Sequence, residues 1–351
     1  MGRPVSTCDV SNLFDSGDGV AFRNEESTGF SIGDVSIYHL NPPMLLPGIL
    51  GSGFTRYRRS FNIGYWAWEL DCLPREWIGG LRYVDAVFVP SAFCRNAVQR
   101  YTKKPVFVVP HPVREVAQGE WHPSATFRVV GIFNFGSSFE RKNPIALIRA
   151  FREAFADDCS AELVLKTSQG HRYPNDRDRL AAAATGMRNV HIIDEVWPDS
   201  RVLDLLGSAD VYISLHRSEG FGLTIAEAIM REVPVVVTNW SGSTDFCSSE
   251  HAFTVDYELI PFADGHTDYS EVSEAQWAEP SVAHAAMHLR AVRDAPEEAR
   301  KRAQRLKIVL REHIRRCTYF EALDRVAKEF GGERAVKPSF ISDARSSEHA
   351  L

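Results

Sequence analysis

The stretch that decides the fold is DVYISLHRSEGFGLTIAEAIMREVPVVVTNW, residues 210–240. It opens on an apolar run rich in β-branched and aromatic residues, and turns through Gly220 and Gly222. It then takes helical spacing from Thr224 to Glu232 and closes on a second β-branched run. Two strand-length apolar runs flanking an amphipathic segment read as a β-α-β unit of a parallel sheet. The pattern recurs upstream. FRVVGIF (127–133), AELVLKTS (161–168) and NVHIIDE (189–195) read as strands, with NPIALIRAFREAFA (143–156), DRDRLAAAATG (176–186) and SRVLDLLGSA (200–209) as helices. Five strands with four helices between them predict a doubly wound α/β sheet, whose ligands sit beyond the carboxyl ends of the strands.

A shorter alternating series comes first. VSIYHL (35–40), FNIGYWAW (61–68), VDAVFVP (84–90) and PVFVVP (105–110) read as strands, and PREWIGGLRYV and SAFCRNAVQRY as helices. The expected partition is a loosely ordered lead-in over 1–33, a first Rossmann-like domain over 34–112, a linker over 113–126 and a second Rossmann-like domain over 127–293. C-terminal helices over 294–333, placed to pack back on the first domain, and a disordered tail over 334–351 complete it. Asp294 is expected to cap the long helix that begins near Pro296.

Composition limits the function. The chain has 351 residues, 44% hydrophobic and 25% charged, enough for two packed domains. A net charge of −6 argues against nucleic acid as a partner, although ARKRAQRLKIVLREHIRR (299–316) is locally basic. Six scattered cysteines with no CxxC pair argue against structural zinc and suit a reducing compartment. No apolar run reaches the ~18–20 residues of a membrane helix, and the polar first residues do not read as a signal peptide. The expected location is the cytoplasm, with peripheral association at the inner face of the membrane left open.

The rim loops carry the chemistry. In HRSEGFGLTIAEA (216–228) the glycines turn the backbone tightly, and the N–H groups of Phe221 to Thr224 begin a helix whose terminus can hold a phosphate without a basic side chain. Glu227, about one turn in, would accept hydrogen bonds from a diol, and Glu219 would do so for a second hydroxylated group. A diphosphate flanked by two polyols describes a sugar nucleotide. In FGSSFERKNP (135–144), Gly136 and Ser137 make a small polar turn, while Arg141 and Lys142 supply two cations able to neutralise a diphosphate without a metal. A dinucleotide fingerprint fails, because the run Gly220, Phe221, Gly222, Leu223, Thr224, Ile225 lacks its third small residue.

Taken in order, FERKNP, LKTS, HRSEGFGLTIAEA, WSGSTDF and WAEP resemble the nucleotide-sugar-binding half of a family 4 glycosyltransferase. These are retaining enzymes with two Rossmann-like domains in the GT-B arrangement. FNIGYWAWELDCLPREWIGGLRYVDAVFVPSAF (61–93) resembles the first domain of members that assemble bacterial polysaccharide and lipopolysaccharide, so the likeness covers roughly 35–320. The resemblance implies donor binding in the second domain and acceptor binding in the first. It implies Arg141 and Lys142 on the diphosphate, Glu219 on the donor sugar, Glu227 on the ribose, and the backbone of Gly220, Phe221, Gly222, Leu223 and Thr224 on phosphate and sugar. Gly136, Ser137 and Lys166 fall at the same rim, and Glu195 and Val196 fall where the base is read. Trp66, Trp68 and Glu69 match the acceptor side. No resident cofactor is implied; the partners are a nucleotide-diphosphate sugar and a glycan or lipid-linked glycan. The implied mechanism is front-side attack with retention, the leaving phosphate helping to take the proton. Glu219 as a covalent nucleophile stays open.

Two departures accompany the resemblance. Gly136 stands where many relatives carry an arginine, and little more than 75 residues lie between lead-in and linker, so the first domain is expected to be incomplete. A non-catalytic or partner-dependent remnant is therefore the competing reading. Asp176 and Asp178 form the sequence's one D-x-D run, in a polar segment rather than at a strand end. His284 and His288 have metal-pair spacing with no third ligand nearby.

Overall fold

The computed structural model describes residues 35–115 and 125–330, apart from 157, 270 and 273, together with residues 8, 10 and 13. The expected lead-in (otherwise), most of the linker and the tail lie outside the described residues. The first domain holds four parallel strands in the order β1-β2-β3-β4: β1 Val35–Tyr38, β2 Phe61–Tyr65, β3 Ala86–Val89 and β4 Val106–Val108. Helices α1 Pro42–Ser52, α2 Phe54–Arg59, α3 Arg75–Gly80 and α4 Ala92–Gln99 connect them. The sequence reading missed α1 and α2. Pro42, Pro43, Pro47 and two glycines obscure the helical period of α1, yet Leu45 and Ile49 share one face and are buried against Trp66, Trp77 and Leu81.

The second domain is a six-stranded parallel sheet in the order β10-β9-β8-β5-β6-β7. Its strands are β5 Phe127–Ile132, β6 Ala161–Thr167, β7 Val190–Asp194, β8 Val211–Ser214, β9 Val235–Thr238 and β10 Phe253–Val255. The five expected strands are present; β10 is a three-residue edge strand too short to show a period. Around the sheet lie α5 Phe139–Lys142, α6 Pro144–Phe155, α7 Pro174–Ala183, α8 Asp199–Gly207 and α9 Leu223–Met230. An antiparallel hairpin, β11 Tyr257–Pro261 with β12 Gln276–Pro280, was also unexpected; it follows β10 and leads into α10 Val282–Asp294. The chain ends in α11 Pro296–Arg316 and α12 Tyr319–Phe330.

Asp294 does not cap α11. It is the last residue of α10, and Ala295 stands at the cap position without a side-chain bond, so the two helices are nearly continuous. Both faces of the second sheet are covered, α6 and α10 packing on one and α9 and α11 on the other. This is why its strands read as unbroken apolar runs. The first sheet carries α1, α3 and α4 on one face. Its other face is covered by α12, whose Ala322 and Val326 meet Phe61, Ile63, Phe88 and Phe107.

The two sheets differ in one consequential respect. In the second, the chain leaves β5 for β6 on one side and later returns to β8 on the other, so the strand order reverses between β5 and β8. A crevice opens at such a reversal. Among the described residues the first sheet runs from β1 to β4 without such a reversal. The architecture is that of two parallel α/β domains, as the GT-B arrangement requires, the first holding four strands among the described residues.

Val326 is 1% exposed at the seat of α12. Val326→Asp should lower stability by about 3 kcal/mol or more by burying an unpaired charge. Denaturant unfolding checks this, and a midpoint equal to the parent's would show that α12 is not seated there.

Candidate functional site

The loops that leave β5 and β8 face one another across the reversal. After β5, Asn134 accepts the Gly136 N–H at 2.8 Å, and Ser138, at φ 66°, accepts the Arg141 N–H at 3.1 Å. Asn143, at φ 50°, ends α5 and lets Pro144 begin α6 at once. Arg141 and Lys142 are thus consecutive on one helical turn, about 100° apart, and cannot face the same way.

Arg141 faces the domain junction. It is 3% exposed and donates to the Ser218 carbonyl at 3.0 Å and the Ser137 carbonyl at 2.8 Å. It pairs with Glu219 at 3.1 Å and stands 3.8 Å from Glu69, with Tyr269 beside it. Lys142 faces the other way, where its ammonium meets Glu219 at 2.5 Å and lines a cleft of about 280 Å3 with Ser137, Lys166, Val196, Trp197 and Thr224. Of the expected basic pair, Lys142 lines this cleft and Arg141 does not.

The charges hold one another. Burial pushes the Glu219 carboxyl up, but Lys142 and Arg141 outweigh it and hold the group down at about 2. Burial pushes Lys142 below its ordinary range, with Glu219 opposing. For Arg141 burial is outweighed by Glu219 and Glu69, which raise it. At neutral pH Glu219 is an anion held by both neighbours.

Backbone contacts fix Glu219 and the turn after it. The Glu219 N–H donates to Ser241 Oγ at 2.8 Å, and its carbonyl accepts the Gly242 N–H at 2.9 Å. A Cβ on Gly242 would strike the Gly220 carbonyl, and one on Gly220 would come within 2.9 Å of the Trp68 carbonyl. Gly222, at φ 90°, then starts α9 with no side-chain cap. The first intrahelical bond is Ala226 N–H to the Gly222 carbonyl, which leaves the N–H groups of Leu223, Thr224 and Ile225 outside the ladder. Phe221 is buried against His111 and Phe246, whereas Leu223 is exposed.

Glu227 lies one turn into α9, partly buried. Burial raises its carboxyl, Asp199 adds to the rise, and Arg114 and Arg231 oppose it. Arg114, in the residues after β4, stands 4.0 Å from Asp199 and was not foreseen as a neighbour of Glu227. Lys166 is 4% exposed and donates to the carbonyls of Thr167 at 2.7 Å and Glu195 at 2.5 Å, so its ammonium braces the cleft floor. The Glu195 carboxylate accepts the Trp197 indole N–H at 2.5 Å, and Val196 projects at the cleft mouth.

On the acceptor side the three expected residues separate. Trp66 and Trp68 are 0% and 2% exposed, in the first-domain core with Trp77, and face no cleft. They follow β2 where the sheet needs apolar cover, and their bulk is used there. Glu69 alone of the three reaches the charged centre. Around it the domains touch directly: Ser218 Oγ donates to the Glu69 carbonyl, and the Cys94 thiol lies 2.9 Å from the Trp68 carbonyl and 3.2 Å from that of Gly220.

The hairpin completes the junction. The Ala278 N–H donates to the Arg217 carbonyl at 2.9 Å, and Arg217 pairs with Glu279 at 2.6 Å and Glu140 at 3.0 Å. From the segment between β11 and β12, Asp264 accepts the Ser138 hydroxyl, His266 bonds the Gly136 carbonyl, and Tyr269 meets Trp68 edge-on. Within the hairpin, WAEP (277–280) carried a sequence signal, whereas Asp264, His266 and Tyr269 did not.

The other expected candidates have local partners. Asp176 and Asp178 lie within α7, paired with Arg179 and Arg177. His284 pairs with Asp256, and His288 is hydrogen-bonded to the Thr254 carbonyl. Among the described residues no three His, Cys, Asp or Glu side chains gather as a metal site would need, and no helix is long and apolar enough to cross a membrane.

A family model described as family 4 glycosyltransferase in conflict systems matches residues 92–323. No curated protein sequence matches the chain. Among solved structures, the chain is similar to TarM of S. aureus, determined with UDP, fondaparinux and α-GlcNAc-glycerol, at 12% identity and TM-score 0.57, over 80% of this chain and 53% of that one. The pneumococcal O-GlcNAc transferase GtfA, with UDP and GlcNAc, gives 13% identity and TM-score 0.54 over 79% and 54%. An E. coli trehalose-6-phosphate protein bound to UDP-2-fluoro glucose gives 12% and 0.56 over 79% and 68%. The chain spans about half the length of the first two, and at these identities the likeness shows the fold.

His216, 0% exposed beneath Glu219, is hydrogen-bonded to Ser214 at 3.0 Å and to the Trp240 carbonyl at 3.3 Å. Burial lowers its pKa to about 4, with Glu219 opposing. The unfolded imidazole takes its proton near 6.5, so between pH 6.5 and 4 the unfolded chain binds more protons and stability falls with pH, by about 3 kcal/mol over that window. His216→Asn should flatten this part of the stability profile, measured by denaturant unfolding from pH 7 to 4; an unchanged slope would refute the buried neutral imidazole.

Proposed function

The chain belongs to that family, and we propose that it moves a hexose, with retention of configuration, from a nucleotide-diphosphate sugar to a glycan or lipid-linked glycan of a cell-surface polysaccharide. The observation that carries the donor assignment is the pairing of Lys142 with Glu219 across the strand-order reversal, beside the uncapped start of α9. A cation and free N–H groups at one rim can neutralise a diphosphate leaving group without a metal ion. The two glutamates then have hydroxyl-bearing neighbours to accept from, Glu219 the sugar and Glu227 the ribose. The cleft lined by Lys166, Val196 and Trp197 offers the base a partly aromatic seat.

The acceptor oxygen would form its bond to the anomeric carbon from the face on which the diphosphate bond breaks, and its proton would pass to the departing phosphate. Charge neutralisation at Lys142 and the α9 start then lowers the barrier where negative charge develops. UDP in the TarM and GtfA structures and UDP-2-fluoro glucose in the E. coli protein support a nucleotide sugar here. A lipid-linked acceptor is supported by α1 and α2, which expose Leu46, Leu50 and Phe54 near the basic end of α2, a combination suited to an anionic membrane surface.

A second reading, a partner-dependent or non-catalytic remnant, is favoured by the first sheet, whose four strands show no reversal among the described residues. Turnover separates the two: a chain that binds a sugar nucleotide but neither transfers nor hydrolyses it supports the remnant.

Lys142→Ala should depress donor turnover by about 100-fold or more, with a smaller loss of donor affinity. Glu227→Ala should weaken nucleotide binding about tenfold. Calorimetric titration and a donor-hydrolysis assay on folded variants check both. Parent-like behaviour in the two variants would remove the donor assignment.

A further inference from the structure

Four charged groups meet at the junction: Glu69, Arg141, Lys142 and Glu219. Two are cations and two are anions, so the centre expected to receive a diphosphate is formally neutral. Both oxygens of Glu219 are engaged, one by Lys142 at 2.5 Å and the other by Arg141 at 3.1 Å. The carboxylate is buried and its backbone is clamped by Ser241 and Gly242, which leaves side-chain rotation as its freedom to move. The neighbouring Lys166 ammonium is committed to two carbonyls. Among the described residues that line the cleft, Lys142 is therefore the cation not committed to backbone carbonyls, and Glu219 already holds it.

We propose that Glu219 is an internal counter-anion that discriminates against the sugar-free nucleoside diphosphate, so that the site prefers the intact sugar nucleotide and sheds the diphosphate product. This rests on the donor-site reading above. A diphosphate entering alone takes Lys142 from Glu219 and leaves a buried carboxylate with one of its two cations. Losing a partner inside a protein is costly for a charge. A sugar nucleotide brings the same diphosphate together with hydroxyl groups that donate to the released oxygen of Glu219. The penalty then falls on the sugar-free ligand, which is discrimination by an unfavourable contact rather than by an added favourable one. After transfer the sugar leaves with the acceptor, Glu219 loses its hydroxyl donors, and its return to Lys142 competes with the remaining diphosphate.

The test compares affinities for UDP with UDP-glucose, GDP with GDP-mannose, and dTDP with dTDP-glucose, by calorimetry at fixed ionic strength. It uses the full-length parent chain and Glu219→Gln, which removes the charge but keeps the shape and an acceptor oxygen. The expected result is that Glu219→Gln binds the nucleoside diphosphate at least tenfold tighter, while the sugar nucleotide changes less. The ratio of the two dissociation constants then collapses. Glu219→Asp, which keeps a charge near Arg141 but withdraws it from Lys142, should shift the ratio in the same direction by about threefold, and supplies the reading should the Gln variant fail to fold. An unchanged ratio, or weaker diphosphate binding by the variant, with the parent still binding the nucleotide, overturns the proposal and leaves the donor site standing. Absence of nucleotide binding in parent and variants overturns both.

Discussion

A guanidinium buried to 3% exposure needs partners, because an unpaired charge in the interior costs several kcal/mol. Arg141 takes them from both domains: Glu69 from the loop after β2, Ser137 from the loop after β5, and Ser218 and Glu219 from the loop after β8. Three strand ends are thereby tied to one planar group with five fixed donors, which sets their mutual positions more tightly than a lysine would. The other contacts at the junction follow from this placement. Ser218 reaches the Glu69 carbonyl, Cys94 sits between the carbonyls of Trp68 and Gly220, and Tyr269 closes over Arg141 from the hairpin segment.

The division of labour between Arg141 and Lys142 explains how one short helical turn serves both structure and chemistry. With Arg141 spent on the junction, Lys142 is left on the cleft side, held by Glu219 and opposite the free N–H groups of α9. The rim that carries Lys142 is built of strand ends, two tight glycine contacts and a helix start. Among the described residues the first sheet does not reverse, Trp66 and Trp68 are spent on the core, and Glu69 is the one of the three residues expected there that reaches the charged centre.

Much of the fold is legible in the sequence because the sheets are parallel and covered on both faces, so their strands stand out as β-branched runs such as VPVVVTNW and AELVLKTS. What escapes is what lacks a period. Proline and glycine mask α1; β10 has three residues; and the hairpin's strands are separated by a long polar segment. Asp294 misleads because two helices meet with almost no turn between them. At the site, residue types at the rim are readable and their directions are not. RK is a pair of cations in sequence, and only the helical turn sends one to each side. Trp66 and Trp68 show the same limit, since a buried and a cleft-facing tryptophan look alike in one sequence. Tyr269 and Arg114 come from segments that carry no motif.

The account turns on Lys142, not Arg141, meeting the diphosphate while Arg141 remains the joint between the domains. The most direct measurement is a crystal structure of the chain with a bound nucleoside diphosphate. The expected result places a phosphate oxygen within hydrogen-bonding distance of Lys142 Nζ and of an N–H at the start of α9, with the Arg141 guanidinium still on the Ser137 and Ser218 carbonyls. A diphosphate bound by Arg141, its guanidinium turned out of the junction into the cleft, would contradict it.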